Sequence, residues 1–195
     1  MSEFWIYLQI GFNHVLDSNG YDHLLFLTVM TVPYAFKDWR KVLLLVTIFT
    51  IGHTLSLLLA VYEVIMIKVS LIELLIPFTI LITALNNLFT IGKTIKSGGL
   101  NIIGLITLFF GIIHGLGFSS YFKSIVSGDA TDKLVPTLEF ALGIELAQFC
   151  IVLFVLILAF IVQHFFRFSK RDWTLVMSSF VIGVVLPMII KNEIW

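Results

Sequence analysis

From Val42 to Tyr62 the chain runs without one Asp, Glu, Lys or Arg, and comparable apolar runs recur along its length. A helix rising ~1.5 Å per residue needs about 20 such residues to cross the ~30 Å hydrocarbon core of a bilayer. Backbone N–H and C=O groups find no water there, so each segment must pair its own, and an all-α bundle of membrane-spanning helices is the expected fold. The pattern predicts spans at 21–36, 41–62, 70–91, 100–118, 136–163 and 172–190 within a single integral membrane domain, 1–195. A shorter apolar stretch, 4–16, cannot span and reads as a re-entrant or interfacial half-helix. Charged residues make up only 12% of the chain and mean hydropathy is +1.05, against roughly one quarter charged in soluble domains.

The twelve basic and twelve acidic residues balance, so no basic surface is offered to nucleic acid and no Lys/Arg run to anionic lipid. The bilayer is the expected partner, with a homo-oligomer or accessory-subunit role open. Cys150 is the one cysteine, which rules out an intrachain disulfide or a cysteine metal cage; any metal ligands must be His, Asp or Glu. Met1-Ser2-Glu3-Phe4 lacks the basic start of a signal peptide, and the N-terminus is expected to be retained.

Orientation follows from the connections. Lys37, Arg40, Lys41, Lys93, Lys96, Arg167, Lys170 and Arg171 fall on one side, and Lys68, Lys123, Lys133 and Lys191 on the other. By the positive-inside rule the first side is cytoplasmic, so the C-terminus is expected outside a plasma (inner) membrane. The 119–135 connection, with Gly128, Asp129, Asp132 and Lys133, reads as a solvated connector at the outer face.

Against this apolar background, Asn13 to His23 gathers His14, Asp17, Asp22 and His23 in eleven residues. Ionisable groups at membrane depth are costly unless paired or functional. Helix rise places His23, His53 and His114 at roughly 20, 18 and 21 Å above the cytoplasmic face, and Glu145 at about 16 Å. These candidates come from different helices yet occupy one slab, which is the signature of a shared buried site.

Each candidate has a structural alternative. Asp22 either caps its helix or orients the neighbouring histidine, the carboxylate–histidine arrangement that fixes a tautomer. His14, at the end of the half-helix, can close over the site. His53 shares a helix face with Thr50 and Ser56, and His114 sits among Gly111, Gly115 and Gly117, which permit close helix approach. Glu145 is a metal ligand or a proton carrier, with Gln148 one turn on. Thr79, Thr83, Asn86, Asn87 and Thr90 form a stripe that either lines a path or bonds helices together. His164, beside Arg167, snorkels and is left out of the site.

The motifs Gly11-x-x-His14, Gly20-Tyr21-Asp22-His23-Leu24-Leu25-Phe26, Thr50-x-x-His53-Thr54-Leu55-Ser56-Leu57, Gly111-x-x-His114-Gly115-x-Gly117-Phe118 and Gly143-x-Glu145-x-x-Gln148 resemble, in this order, the HupE/UreJ family of small membrane proteins. The resemblance implies six or seven helices and an association with nickel or cobalt uptake for hydrogenase and urease. Carried over by motif, His14, Asp22, His23, His53 and His114 would be metal-path residues, with Glu145 added. Val15 stands where a proline often follows the first histidine in nickel permease members.

Two functions compete. A divalent-cation permease would pass Ni²⁺ or Co²⁺ as cargo through imidazole and carboxylate groups, which suit such ions. An intramembrane hydrolase acting on a lipid or lipid-linked substrate would hold Zn²⁺ on histidines, with Asp22 or Glu145 as base and Ser56 as donor to the developing oxyanion. A permease needs polar groups below the slab as well as above it, whereas a hydrolase needs only a pocket. A third option is a structural or accessory subunit whose polar cluster fastens helices.

Overall fold

The computed structural model describes residues 3–17, 20–65, 67–91, 99–126 and 133–192. Lys93, Lys96, Ser18, Gly128, Asp129 and Asp132 lie outside them. Seven α-helices follow in order among the described residues: α1 (Glu3–Leu16), α2 (Asp22–Thr31), α3 (Trp39–Val61), α4 (Val69–Thr90), α5 (Gly99–Ile125), α6 (Leu134–His164) and α7 (Lys170–Ile190), with a single 3₁₀ turn, Phe36–Asp38, ahead of α3. No strand occurs among the described residues.

The surface is inside-out for a water-soluble protein. Phe89, Leu105, Phe154 and Ile190 are each more than 60% exposed, while His53, His114, Ser56, Gln148, Thr137 and Ser178 are fully buried. Apolar side chains outside and polar ones inside are what a lipid solvent selects. Five helices, α3 to α7, are long and apolar enough to cross a membrane.

The predicted span 21–36 is cut short. α2 has 10 residues and ends at Thr31, so it reaches only about 15 Å, half the hydrocarbon thickness. Pro33 is the cause: it has no N–H to continue the ladder to Val29. The α1 helix, at 14 residues, is also too short to cross alone. Buried almost throughout, α2 packs against α1, α3, α4, α6 and α7 at the centre of the bundle.

Glycines set the helix crossings. A Cβ at Gly111 would strike the Phe49 carbonyl oxygen on α3, one at Gly52 the Leu108 carbonyl on α5, and one at Gly115 the Ser56 hydroxyl and the His53 carbonyl. The α1–α6 crossing works the same way: Gly11 lies on the Phe140 carbonyl and Gly143 on that of Leu8. With little hydrophobic force between helices in lipid, such close backbone approach supplies the packing energy. Each crossing also has a positional consequence, because Gly11, Gly52 and Gly111 lie one to three residues from His14, His53 and His114.

Candidate metal site

The four histidines of α1, α2, α3 and α5 converge. Ring centroids of His14 and His23 are 4.8 Å apart, His14 and His53 5.9 Å, His23 and His53 5.7 Å, and His23 and His114 5.3 Å. His14, His23 and His53 each bring a ring nitrogen within 4.8 Å of the others. Nitrogens bound at ~2.1 Å around one ion stand about 3–3.5 Å apart, so modest closure completes a three-nitrogen site. His53 and His114 are fully buried and His23 is 2% exposed, whereas His14 is only partly buried.

Hydrogen bonding fixes which nitrogen is free. His114 Nδ1 lies 2.8 Å from the Phe110 carbonyl oxygen, which can only accept, so Nδ1 carries the proton and Nε2 keeps its lone pair. His23 Nδ1 lies 3.1 Å from Asp22 Oδ1, and the same reasoning leaves His23 Nε2 as the acceptor. Asp22 Oδ1 also accepts the His23 backbone N–H at 2.8 Å. It therefore serves the start of α2 and the orientation of His23 at once, the carboxylate–histidine pairing that tunes metal ligands.

Among the described residues the nitrogens left over have no partner. His14 Nε2, His23 Nε2, His114 Nε2 and both ring nitrogens of His53 are buried without a hydrogen bond. Buried polar atoms are almost always paired, so five such nitrogens in one place call for a ligand. Phenylalanines wall the cluster: Phe118 is 3.8 Å from His14, Phe49 5.1 Å and Phe26 5.2 Å from His114, and Phe140 5.9 Å from His14. These rings offer the nitrogens no hydrogen-bond partner. Phe26 and Phe118 belong to the motifs that carry the family resemblance, whereas Phe49 and Phe140 have no signal of their own in a sequence where Phe is abundant.

Glu145 is not in the cluster. Its Oε1 accepts a hydrogen bond from Thr47 Oγ1 at 2.6 Å, and Thr47 precedes His53 by six residues on α3, about 9 Å along the helix. α6 has 31 residues, ~46 Å, longer than the ~30 Å hydrocarbon core, so helix rise alone does not fix the height of Glu145. Gln148 is buried and its Oε1 lies 2.9 Å from Thr50 Oγ1. Ser56 donates to the His53 carbonyl at 2.8 Å on its own helix, which leaves no hydroxyl hydrogen for an oxyanion. Thr79, Thr83 and Thr90 likewise donate to carbonyls of their own helix. Asn86 is exposed, and the buried Asn87 donates to the Val29 carbonyl at 2.7 Å, with Ser178 Oγ at 3.3 Å. Within the stripe, Asn87 thus fastens α4 to α2 and α7.

No curated protein and no solved structure matches this chain. The family model described as HupE / UreJ protein matches residues 1–192. An apolar helical bundle with this sequence match is a multi-pass membrane protein, and the chain belongs to the HupE / UreJ family.

Proposed function

We propose that the protein is a permease for a divalent transition-metal cation, nickel or cobalt, with His14, His23, His53 and His114 as the buried station through which the cargo passes. The observation that carries this reading is the set of unpartnered ring nitrogens, with His23 and His114 held by Asp22 and the Phe110 carbonyl so that Nε2 is free to bind. Imidazole nitrogen with a nearby carboxylate suits Ni²⁺ and Co²⁺, and membership of this family supports the same class of cargo.

The two short helices fit the same reading. Joined in sequence at Asp17 to Tyr21, α1 and α2 total 24 residues (14 plus 10), enough for one interrupted crossing. Broken helices at depth occur where they line a cavity or a binding site. On this reading His14 ends the outer half and Asp22-His23 begins the inner half, so the break itself carries ligands. Partly buried His14 faces the side of arrival, the cytoplasmic side carries Lys37, Arg40 and Lys41, and the C-terminus lies outside. The hydrolase alternative finds no support in the position of Ser56 or Glu145.

The test is uptake of Ni²⁺ or Co²⁺ into vesicles containing the purified protein and an internal metal-quenched dye. Uptake by the wild type with loss of about tenfold or more in His53→Ala and His23→Ala is expected. Absence of uptake in the wild type, or unchanged uptake in both variants, overturns the proposal.

A further inference from the structure

Beneath the histidines, α3 and α6 hold a second polar set: Thr50 with Gln148, and Thr47 with Glu145. We propose that these four residues form a separate, oxygen-lined cation station, which takes the divalent cation from His53 and releases it toward the cytoplasm. The proposal rests on the permease reading.

Three observations carry it. First, Glu145 is a carboxylate inside a membrane helix, and among the described residues no Lys, Arg or His forms an ion pair with it. Its bond from Thr47 at 2.6 Å supplies one hydrogen but no charge. A carboxylate in this setting is stabilised by a cation.

Second, the hydrogens of the upper pair do not balance as an isolated unit. Thr50 Oγ1 stands 3.2 Å from the Val46 carbonyl oxygen and 2.9 Å from Gln148 Oε1. Both are acceptors, and one hydroxyl hydrogen serves only one of them. Meanwhile Gln148 Nε2 is buried without a partner. Turning the amide over, which changes its shape hardly at all, repairs the first fault and changes the sign of the second. Nε2 then donates to Thr50, Thr50 donates to Val46, and the unpartnered position becomes a bare carbonyl oxygen. That oxygen has the sign a cation requires.

Third, the four side chains form one group. Thr47 and Thr50 lie below His53 at three-residue spacing on α3, and from α6, which runs the opposite way, Glu145 reaches Thr47 and Gln148 reaches back to Thr50. Both nitrogens of His53 are unpartnered, so this ring offers one lone pair to a bound ion, on whichever nitrogen lacks the proton. The lower set replaces imidazole by carboxylate, amide and hydroxyl oxygens, which hold Ni²⁺ and Co²⁺ less tightly than nitrogen does. A strong station followed by a weaker one favours release.

Glu145→Gln tests this with little disturbance, because the amide keeps the shape and an oxygen for Thr47 while removing the charge. Two readouts are needed on the full chain: Co²⁺ binding to the histidines, followed by its visible absorption, and Co²⁺ uptake into vesicles. The expected result is unchanged histidine binding with uptake reduced about tenfold or more; Gln148→Leu is expected to do the same. Unchanged uptake in both variants overturns the second station. Loss of histidine-bound Co²⁺ in Glu145→Gln, with His53→Ala behaving identically, overturns it too, because Glu145 then belongs to one undivided site. A wild type that takes up no Co²⁺ is a failure of the permease reading itself and is recognised before any variant is compared.

Discussion

Asn87 on α4 donates a hydrogen bond of 2.7 Å to the carbonyl of Val29 on α2, the carbonyl that Pro33, four residues on, cannot serve. The residue that ends α2 early and the residue that repairs the end are therefore a matched pair. Asn87 also reaches Ser178 on α7, so one buried amide ties three helices together at the base of the short central helix.

Replacing Asn87 by Leu leaves that carbonyl unserved in a dry interior. The expected cost is about 1–2 kcal/mol, the range for interhelical polar contacts in membrane bundles. It is read as a lower midpoint of thermal unfolding in detergent. In the Pro33→Ala background a backbone N–H becomes available to Val29, and the Asn87→Leu penalty is expected to shrink. An equal penalty in both backgrounds would show that the two residues are not coupled.

The glycine crossings predict a contrast between two alanine substitutions. Gly111→Ala places a methyl group against the Phe49 carbonyl, and because the obstacle is backbone, α3 and α5 must move apart. A destabilisation of about 1–3 kcal/mol is expected, together with weaker Co²⁺ binding because His53 and His114 separate. Gly183 on α7 has nothing within 4 Å of an added Cβ. Gly183→Ala is expected to be neutral or stabilising by up to about 1 kcal/mol. Equal effects at the two positions in the unfolding assay would contradict the crossing geometry.

Glu63 ends α3 with φ 59°, while Val64 N–H bonds the Leu59 carbonyl at 2.9 Å and Glu63 N–H the Ala60 carbonyl at 3.0 Å. This is the Schellman arrangement, in which the left-handed position favours glycine. Glu63→Gly is expected to raise stability by about 1 kcal/mol through relief of that strain. A lowered unfolding midpoint would mean that the glutamate side chain makes a compensating contact.

Asp22→Asn keeps an acceptor oxygen for the His23 backbone but removes the negative charge beside Nδ1. The His23 ring then becomes a weaker base and a less firmly oriented ligand. Co²⁺ affinity is expected to fall about tenfold or more, measured by equilibrium titration in detergent, with little change in helix content by circular dichroism. An affinity within twofold of wild type would leave Asp22 only the role of capping α2.

Much of the bundle was legible because lipid constrains it so tightly. Uncharged runs such as Val42–Tyr62 mark α3, α4, α6 and α7 within two residues, whereas α5 runs on to Ile125, seven residues past the expected end and into the stretch read as a solvated connector, where Phe122 is fully buried. The depth of His23, His53 and His114 on separate helices anticipates their meeting. The early end of α2 follows from Pro33, which interrupts an apolar run continuing to Phe36. Glu145 pairs with Thr47, six residues before His53 on α3, a displacement that depth arithmetic along a helix of 31 residues does not resolve. The assembly of the phenylalanine wall around His14 and His114 was hidden, because side chains that pack across four helices share no local spacing.

The most direct measurement is the metal content of purified protein loaded with Ni²⁺ or Co²⁺, compared among wild type, His53→Ala and His114→Ala and paired with vesicle uptake of the same ion. The account predicts a bound ion in the wild type that is lost or much weakened in both variants, with uptake falling in parallel. Metal content unchanged by both substitutions, or a firmly held zinc ion in a protein that transports nothing, would contradict it.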